Sequence, residues 1–570
     1  MIVLGLNSHE INSSSAIVKN GKLIFGSTEE RFIRTKNTKE FPLNSINFFL
    51  NKENLNIEDI DIVAQSWNPA AYYIKYNPLK SKYRTLREDY FYTIPDNILN
   101  VKSSHKRQIG NFVKMEFDIK NFPKIFYIQH HDCHAANAFY LSNFTKAAIL
   151  ICDFKGELES TSFHYGIGNK LKKLKSFNMP HSLGMFYATI TQLLGYRPDQ
   201  DEWKVMALSG MQSVEKSMMQ KIKKLYELRP NGEVSFNPDF FRGNDLISPN
   251  LFSHKLSIFL GANTKIIEKK ISDWHISIAS AMQAASEEIC FHYLKELYKI
   301  TKEKNLCVGG GFFMNSVLNG KILENTPFEN LYVPFAPTDA GNSIGAAMYA
   351  NHHMKNKPRK KQIFFSQIGP SYNDAYILNV LKTRKVKFRN SKKIHAECAS
   401  LISKHGFIGY FNGKSEFGDR ALGNRSILGD PRKSETKDKI NKAIKFREQF
   451  RPFAPVTKMS SAHLYFEVSK DFKNNYMEKV VKVKHRYAKK LEAVIHYDGS
   501  ARIQTIENDG PDNLYNLLNE FEKISGFPIL LNTSLNINGE PMVLSPEDAL
   551  NTFYKSGLEV LVMNNYIVIK

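Results

Sequence analysis

Residues 305–350 read NLCVGGGFFMNSVLNGKILENTPFENLYVPFAPTDAGNSIGAAMYA. An apolar run of strand length, NLCVGGG, ends in three glycines. A helical stretch, FFMNSVLNGKIL, follows, then a second short strand, LYVPF, then DAGNSIGAAMYANHHM, whose small and apolar residues carry a helix to 354. Strand, helix, strand and helix in one stretch predict a layer of helices over a largely parallel sheet. The same alternation stands upstream. KIFYIQ reads as a strand, QHHDCHAANAFY (129–140) as a helix, and KAAILICDFKG as a second buried strand ending at Asp153. The chain opens with MIVLGLN and SAIVKNGKLIFGSTEE, the latter broken at Asn20-Gly21 as a hairpin is. The fold class is α/β. In such sheets a ligand sits beyond the carboxyl ends of the strands, and Asp153 and Asp339 both follow predicted strands.

A chain of 570 residues exceeds what one core organises, so two or more domains are expected. The polar, basic, proline-containing stretch HHMKNKPRKKQIF (352–364) marks the division, giving domains 1–355 and 363–570, the second also α/β. Composition is that of a soluble globular protein, with 42% hydrophobic and 24% charged residues. No apolar run approaches 18 residues, and the opening has neither the basic region nor the length of a signal peptide, so the expected location is cytoplasmic with no membrane partner. Five cysteines, odd in number and without C-x-x-C spacing, argue against a disulfide framework or a cysteine zinc site. The net charge of +22 is scattered in short groups such as NKLKKLK and NKPRKKQ, as on a solvated surface. Nucleic acid is therefore not an expected partner, and an oligomer is compatible with the composition. No fixed-period repeat is visible.

His130 and His134 lie one helical turn apart, the spacing of a two-histidine metal site. With 17 histidines in 570 residues, about half such a pair arises by chance, so the spacing alone does not decide. Two readings stand. His130, His134, Asp153 and Asp339 could ligate Fe(II), Mn(II) or zinc with positions left for substrate or water. Alternatively, the histidines cap and cover a helix while the aspartates start loops. The triple glycine Gly309-Gly310-Gly311, between a strand and a helix, could bring backbone N–H groups to a phosphate. The densest signal is EFGDRALGNRSILGDPRKSETKDKINKAIKFREQFRPFAP: from Arg420 to Arg451 it holds ten Lys or Arg against four Asp or Glu. Arginine forks suit phosphate or carboxylate, and a lysine adds a point charge. The bland reading is a basic helix face through Lys437, Lys442 and Lys445. HYDGSARIQ reads as a hairpin displaying His496 and Arg502, and LLNTSLNINGEP as a strand ending at Asn532-Thr533-Ser534.

Together these stretches resemble the NodU/CmcH family of O-carbamoyltransferases, and the likeness spans nearly the whole chain: EERFIRTKNTKEFP, HHDCHAA, PHSLGMFYATITQLLGY, DEWKVMAL, PTDAGNSIGAA, GDRALGNRS, KFREQFRPFAP, DGSARIQT and NTSLNINGEPMV. The resemblance implies an N-terminal actin/Hsp70-like (ASKHA) ATPase-fold domain, similar to the tRNA threonylcarbamoyl-transfer proteins, followed by a YrdC-like domain. It implies that carbamoyl phosphate and ATP, with Mg2+, form carbamoyl adenylate in the second domain, and that the carbamoyl group passes to the hydroxyl of a small-molecule acceptor in the first. By the same resemblance His130, His134, Asp153 and Asp339 match ligands of Fe(II) or another divalent metal. Arg420, Arg425, Lys445, Arg451, Arg502, Asn532 and Ser534 match the carbamoyl phosphate and ATP site, with Lys445, Arg451, Arg420 and His9 as catalytic candidates. Gly309, Gly310, Gly311 and Asn315 are the candidates for nucleotide contacts in the first domain. The chain departs from the family pattern at Lys36-Asn37, where a lysine-histidine pair is usual, at the spacing after His9-Glu10, and at Asn538 in place of arginine. Two other readings compete: tRNA threonylcarbamoyl transfer, and a nucleotide switch without carbamoyl chemistry.

Overall fold

The computed structural model describes residues 1–8, 11–68, 123–242, 250–262, 271–359, 362–446, 453–508 and 513–570. His9 and Arg451 lie outside the described residues. The chain divides into two units. One comprises Met1–Glu29, Lys39–Met314 and Ile322–Gln362; the other comprises Glu30–Thr38, Asn315–Lys321 and Ile363–Lys570.

In the first unit the apolar opening run becomes β1 (Ile2–Asn7), followed by the hairpin β2 (Ser14–Lys19) and β3 (Lys22–Thr28). Asn20 and Gly21 turn it with φ of 51° and 78°, the left-handed pair that a tight hairpin requires. With β4 (Ile62–Gln65) and β5 (Lys124–Tyr127) these strands form one sheet in the order β3-β2-β1-β4-β5. The first three are antiparallel, and β4 and β5 run parallel to β1. Helix α1 (Leu43–Glu53) buries Ile46, Phe49 and Leu50 against Leu4, Leu6, Ile17 and Phe25. Helix α2 (His130–Leu141) follows β5.

A second sheet repeats the plan. It contains β6 (Lys146–Cys152), β7 (Glu159–Ile167), β8 (Lys170–Asn178), β9 (Asn305–Gly309) and β10 (Asn330–Tyr332) in the order β8-β7-β6-β9-β10. Again the first three are antiparallel and the last two parallel. Residues Ala147 to Cys152 of β6 are wholly buried, which explains its unbroken apolar sequence. The connection from β8 to β9 carries α3 (Leu183–Leu193) and the long α4 (Asp273–Thr301), and α5 (Asn342–Met348) follows β10. Helices α2 and α5 thus occupy equivalent places in two halves of one topology. They pack at backbone distance: a Cβ on Gly345 would lie 1.9 Å from the carbonyl oxygen of Cys133. Two sheets of this order, each followed by one of a pair of packed helices, constitute the expected actin/Hsp70-like fold. The repeat is one of strand order and direction.

The second unit is built on an eight-stranded mixed sheet. Its strands are β11 (Arg389–Asn390), β12 (Phe407–Phe411), β13 (Arg425–Gly429), β14 (Ala454–Lys458), β15 (Gln504–Ile506), β16 (Ile529–Ser534), β17 (Val560–Met563) and β18 (Tyr566–Ile569), ordered β11-β18-β17-β12-β13-β16-β14-β15. The alternation of side chains along each strand divides its core into two. Ile408, Tyr410, Leu428, Leu530, Val560 and Val562 face one cluster, shared with α7 (Ile394–His405) and α8 (Leu514–Ser525). Phe407, Phe411, Ile427, Ile529, Leu531, Leu561 and Met563 face the other, shared with α6 (Asp374–Thr383) and α9 (Pro546–Lys555).

Two short segments of this unit come from positions that a linear division at 355 and 363 assigns to the first domain. Arg31 donates to the carbonyls of Glu416 and Gly418, and Arg34 to those of Met542 and Pro541. Those bonds draw Glu30–Thr38 into the second unit. No helix among the described residues is long and apolar enough to cross a membrane. All five cysteines are buried and unpaired.

Candidate functional site

In the first unit His130 and His134 project from the first turns of α2, Asp153 follows the last residue of β6, and Asp339 opens the turn that leads into α5. One donor atom from each lies within 4.8 Å of the others. His130 Nε2 is 3.1 Å from Asp153 Oδ2 and 3.3 Å from Asp339 Oδ1. His134 Nε2 is 3.4 Å from each of the same oxygens, and the two Nε2 atoms are 3.0 Å apart. Cation–ligand bonds of 2.0–2.2 Å give adjacent donors a separation of roughly 3.0–3.5 Å, so the spacing fits one divalent ion. The electrostatics agree. Burial disfavours charge on His130, yet Asp339 and Asp153 outweigh it and hold the imidazolium well above the ordinary histidine value. Burial also opposes charge on the two carboxyls, but the histidines hold Asp153 well below, and Asp339 below, the usual carboxylate range. The site is tuned to carry positive charge between two carboxylates.

Neighbouring groups fix the ligands. Glu157 accepts the backbone N–H of His130 through both oxygens at 3.1 Å and that of Asn68 at 2.7 Å, placing a carboxylate at the start of α2 where free N–H groups point. Burial raises the pKa of Glu157. The Trp67 ring meets His130 edge-on with centroids 5.7 Å apart. Ser182 caps α3 and donates to the carbonyls of Asp153 and Phe154, tying down the turn after β6. Asn342, the first residue of α5, is fully buried; its Nδ2 lies 3.1 Å from His134 Nε2 and 3.3 Å from His130 Nε2. His131 faces elsewhere and bonds Ser162 Oγ at 2.8 Å.

The triple glycine adjoins this centre. Gly311 N donates to Asp153 Oδ1 at 2.9 Å. Gly310 has φ of 95°, and a Cβ there would lie 2.1 Å from the carbonyl oxygen of Cys152. Only glycine lets the end of β9 pass so close to the end of β6. Asn315 belongs to the second unit, where its Oδ1 accepts the N–H of Leu318 and caps a helix start.

In the second unit the arginines divide by role. Arg420 and Arg502 are partly to largely buried in one region, and Arg420 donates to the carbonyl of Tyr476 at 2.8 Å. Burial, then the positive charge of Arg420, pushes Arg502 down to about 9, which leaves it cationic at neutral pH; burial also lowers Arg420. Arg502 has no hydrogen bond or ion pair to another described residue. The expected hairpin is a turn, with His496 N bonded to Ser500 O at 2.7 Å; His496 is half-buried, and burial pushes its imidazole down to about 4.

Arg425 differs from the expectation of a ligand-facing fork. It is 0% exposed, stacks on Phe411, and donates to the carbonyls of Asn412, Asn424, Pro370 and Gly413. Both terminal nitrogens of its guanidinium hold loop carbonyls, while its buried Nε has no hydrogen-bond partner. Lys445 is no solvated helix face: it is 4% exposed and its Nζ reaches Ser534 O and Oγ at 2.5 and 3.2 Å and Asn536 O and Oδ1 at 3.0 and 2.7 Å. Lys445 and Ser534 are therefore together. Asn532 donates to the carbonyl of Ala421 and to Gln504 Oε1, steadying the residue next to Arg420. The loop is further held by Glu416, whose Oε1 accepts the N–H groups of Leu422, Asn424 and Arg425 at 2.9, 2.7 and 3.2 Å.

Sequence reading missed Glu157, Trp67, Glu416 and Asn342. Only Asn342 carried a signal, three residues after Asp339 in the same PTDAGNSIGAA stretch.

Residues 2–348 match the family model described as carbamoyltransferase N-terminus, and residues 399–570 match that described as carbamoyltransferase C-terminus. The chain is 30% identical over 571 residues to nodulation protein NolNO of Sinorhizobium fredii, covering 99% of this chain and 80% of that protein. It is 32% identical over 449 residues to nodulation protein NolO of Bradyrhizobium diazoefficiens, covering 78% and 79%. An uncharacterized protein of Synechocystis, sll1178, is 29% identical over 612 residues, covering 100% and 96%. Among solved structures, full-length HypF in its phosphate- and nucleotide-bound form is 13% identical with a TM-score of 0.37 over 61% of this chain and 55% of that one, too slight a likeness to bear on the fold. With both halves matched and relatives aligned along its whole length, the chain belongs to the carbamoyltransferase family.

Proposed function

We propose that this protein is an ATP-dependent O-carbamoyltransferase whose acceptor is a hydroxyl of a small molecule such as a sugar, a polysaccharide precursor or a secondary metabolite. In this reading the second unit, YrdC-like, makes carbamoyl adenylate. Hydrolysis of carbamoyl phosphate releases phosphate and carbamate; a carbamate oxygen then attacks the α-phosphorus of Mg2+-bound ATP and expels pyrophosphate. The observation that carries the proposal is the pairing of Arg420 with Arg502, two enclosed cations of which the second has no partner among the described residues. Glu478 and Asp419 partly offset the charge of Arg420, but no carboxylate among the described residues offsets that of Arg502; an enclosed charge is costly without an anion, and a phosphate supplies one. Lys445 beside Ser534, with Arg451, would screen the further phosphate charges that develop during transfer.

The mixed anhydride has AMP as a good leaving group. In the first unit the acceptor hydroxyl attacks the carbamoyl carbon, the bond to AMP breaks, and the hydroxyl proton passes to a base for which His9 is the candidate. His130, His134, Asp153 and Asp339 would hold Fe(II) or another divalent ion. When bound, such an ion supplies a Lewis acid that orients phosphate and lowers the pKa of a coordinated hydroxyl. The N–H groups at Gly309–Gly311 stand beside that centre and would approach the nucleotide.

The test is product analysis. Purified protein with carbamoyl phosphate, ATP and Mg2+ is expected to release AMP, pyrophosphate and phosphate, with release of AMP and pyrophosphate absent when carbamoyl phosphate is omitted. ATP cleaved to ADP alone would sink the proposal.

A further inference from the structure

Asn342 is wholly buried and enters the cluster from the start of α5. Its Nδ2 lies 3.1 Å from His134 Nε2, 3.3 Å from His130 Nε2 and 3.4 Å from His130 Nδ1, while its Oδ1 is buried without any hydrogen-bond partner. Both halves of the amide are thus wrongly served once the histidines bind a cation. Their Nε2 lone pairs would be spent on the ion, leaving nothing to accept the N–H, and the oxygen would stay unsatisfied, which costs about 1–3 kcal/mol for a buried acceptor. A half-turn of the amide exchanges nitrogen and oxygen in place and moves no other atom.

We propose that Asn342 is a fifth ligand of the cation held by His130, His134, Asp153 and Asp339, with its carbonyl oxygen turned toward them; this rests on the reading that those four residues hold a metal. The distances to the two Nε2 atoms fall in the same 3.0–3.4 Å range that separates those atoms from each other and from the two carboxylate oxygens. Two nitrogens and three oxygens, with two negative charges, make a neutral five-coordinate set around a divalent ion. That set suits Fe(II), Mn(II) or Co(II) with one position left for substrate, and it disfavours the closed tetrahedron of structural zinc.

Cobalt(II) tests this without reference to turnover. Metal-free full-length protein is titrated with Co(II), reading affinity and the visible d–d spectrum, in wild type and in Asn342→Leu, Asn342→Asp and His134→Ala. Wild type is expected to show the weak bands of a five- or six-coordinate ion. Asn342→Leu is expected to bind at least about tenfold more weakly and to shift toward the intense four-coordinate spectrum, while Asn342→Asp, which restores an oxygen, keeps the wild-type spectrum and binds more tightly. Wild-type affinity and spectrum in Asn342→Leu would overturn the proposal, as would Asn342→Asp binding no better than Asn342→Leu. Should Asn342→Leu fail to fold, the Asn342→Asp comparison decides alone, and affinity no higher than wild type counts against the oxygen ligand. Absence of Co(II) binding in wild type, or binding untouched by His134→Ala, would overturn the four-residue centre itself and this proposal with it.

Discussion

Replacing Gly345 by alanine drives a wedge between the two helices that carry the candidate metal ligands. The new Cβ would lie 1.9 Å from the carbonyl oxygen of Cys133, 1.1 Å short of the 3.0 Å below which real Cβ contacts essentially never occur. Backbone surrounds the contact on both sides, so α2 and α5 must separate. Overpacking of this kind costs about 1–3 kcal/mol, offset by the roughly 1 kcal/mol that alanine gains over glycine inside a helix. The net loss is about 0–2 kcal/mol, equivalent to a fall in Tm of at most roughly 8 °C. The metal centre suffers more. His130 and Asp339 lie on opposite sides of the seam at 3.3 Å, and a displacement of that size opens the gap toward roughly 4.4 Å, well past the roughly 3.0–3.5 Å that separates adjacent donors around one cation. Titration of metal-free protein with Mn(II), followed by calorimetry, is expected to show at least about a tenfold loss of affinity in a variant that still melts cooperatively. A folded Gly345→Ala protein with unchanged affinity would refute the claim that the α2–α5 contact sets the ligand spacing.

Three further outcomes are expected. Arg502→Gln should weaken calorimetric binding of carbamoyl phosphate by at least about tenfold yet leave Tm unchanged or raised, because it removes an enclosed charge that lacks a partner. Arg425→Leu should lower stability by about 3–5 kcal/mol in urea titration, since four backbone carbonyls lose their donor; a loss under 1 kcal/mol would show that the buried fork is not a clamp. Glu202, whose pKa burial pushes up to about 7 from an ordinary 4.5, contributes fully to stability below pH 4.5 and loses that contribution as pH rises through 7. Unfolding free energies from urea titration should therefore fall between pH 4.5 and 8 by up to about 2–3 kcal/mol more in wild type than in Glu202→Gln, and parallel profiles would contradict the shift.

The parts of this structure that could be read from the chain are those with a local period or punctuation. The i,i+4 histidines, the buried run ending at Asp153 and the Asn20-Gly21 turn all report through spacing. The duplicated strand order does not, because the two halves share hydrogen-bond topology while their connections differ: α1 joins β3 to β4, whereas α3 and α4 lie between β8 and β9. Arg425 illustrates another limit. Its sequence context reads like that of Arg420, and only the carbonyls that converge on its two terminal nitrogens reveal that these hold loops. Glu157 and Glu416 act through backbone N–H groups, a role with no side-chain pattern to announce it. The docking of Glu30–Thr38 into the second unit is likewise a matter of arginine-to-carbonyl bonds across hundreds of residues.

The central claim is adenylation of a carbamoyl group, and ATP–pyrophosphate exchange tests it most directly. Labelled pyrophosphate is expected to enter ATP only when carbamoyl phosphate is present, in wild type but not in Arg502→Gln or Arg451→Ala. Hydrolysis of ATP to ADP without exchange, indifferent to carbamoyl phosphate, would contradict the account and favour a nucleotide switch.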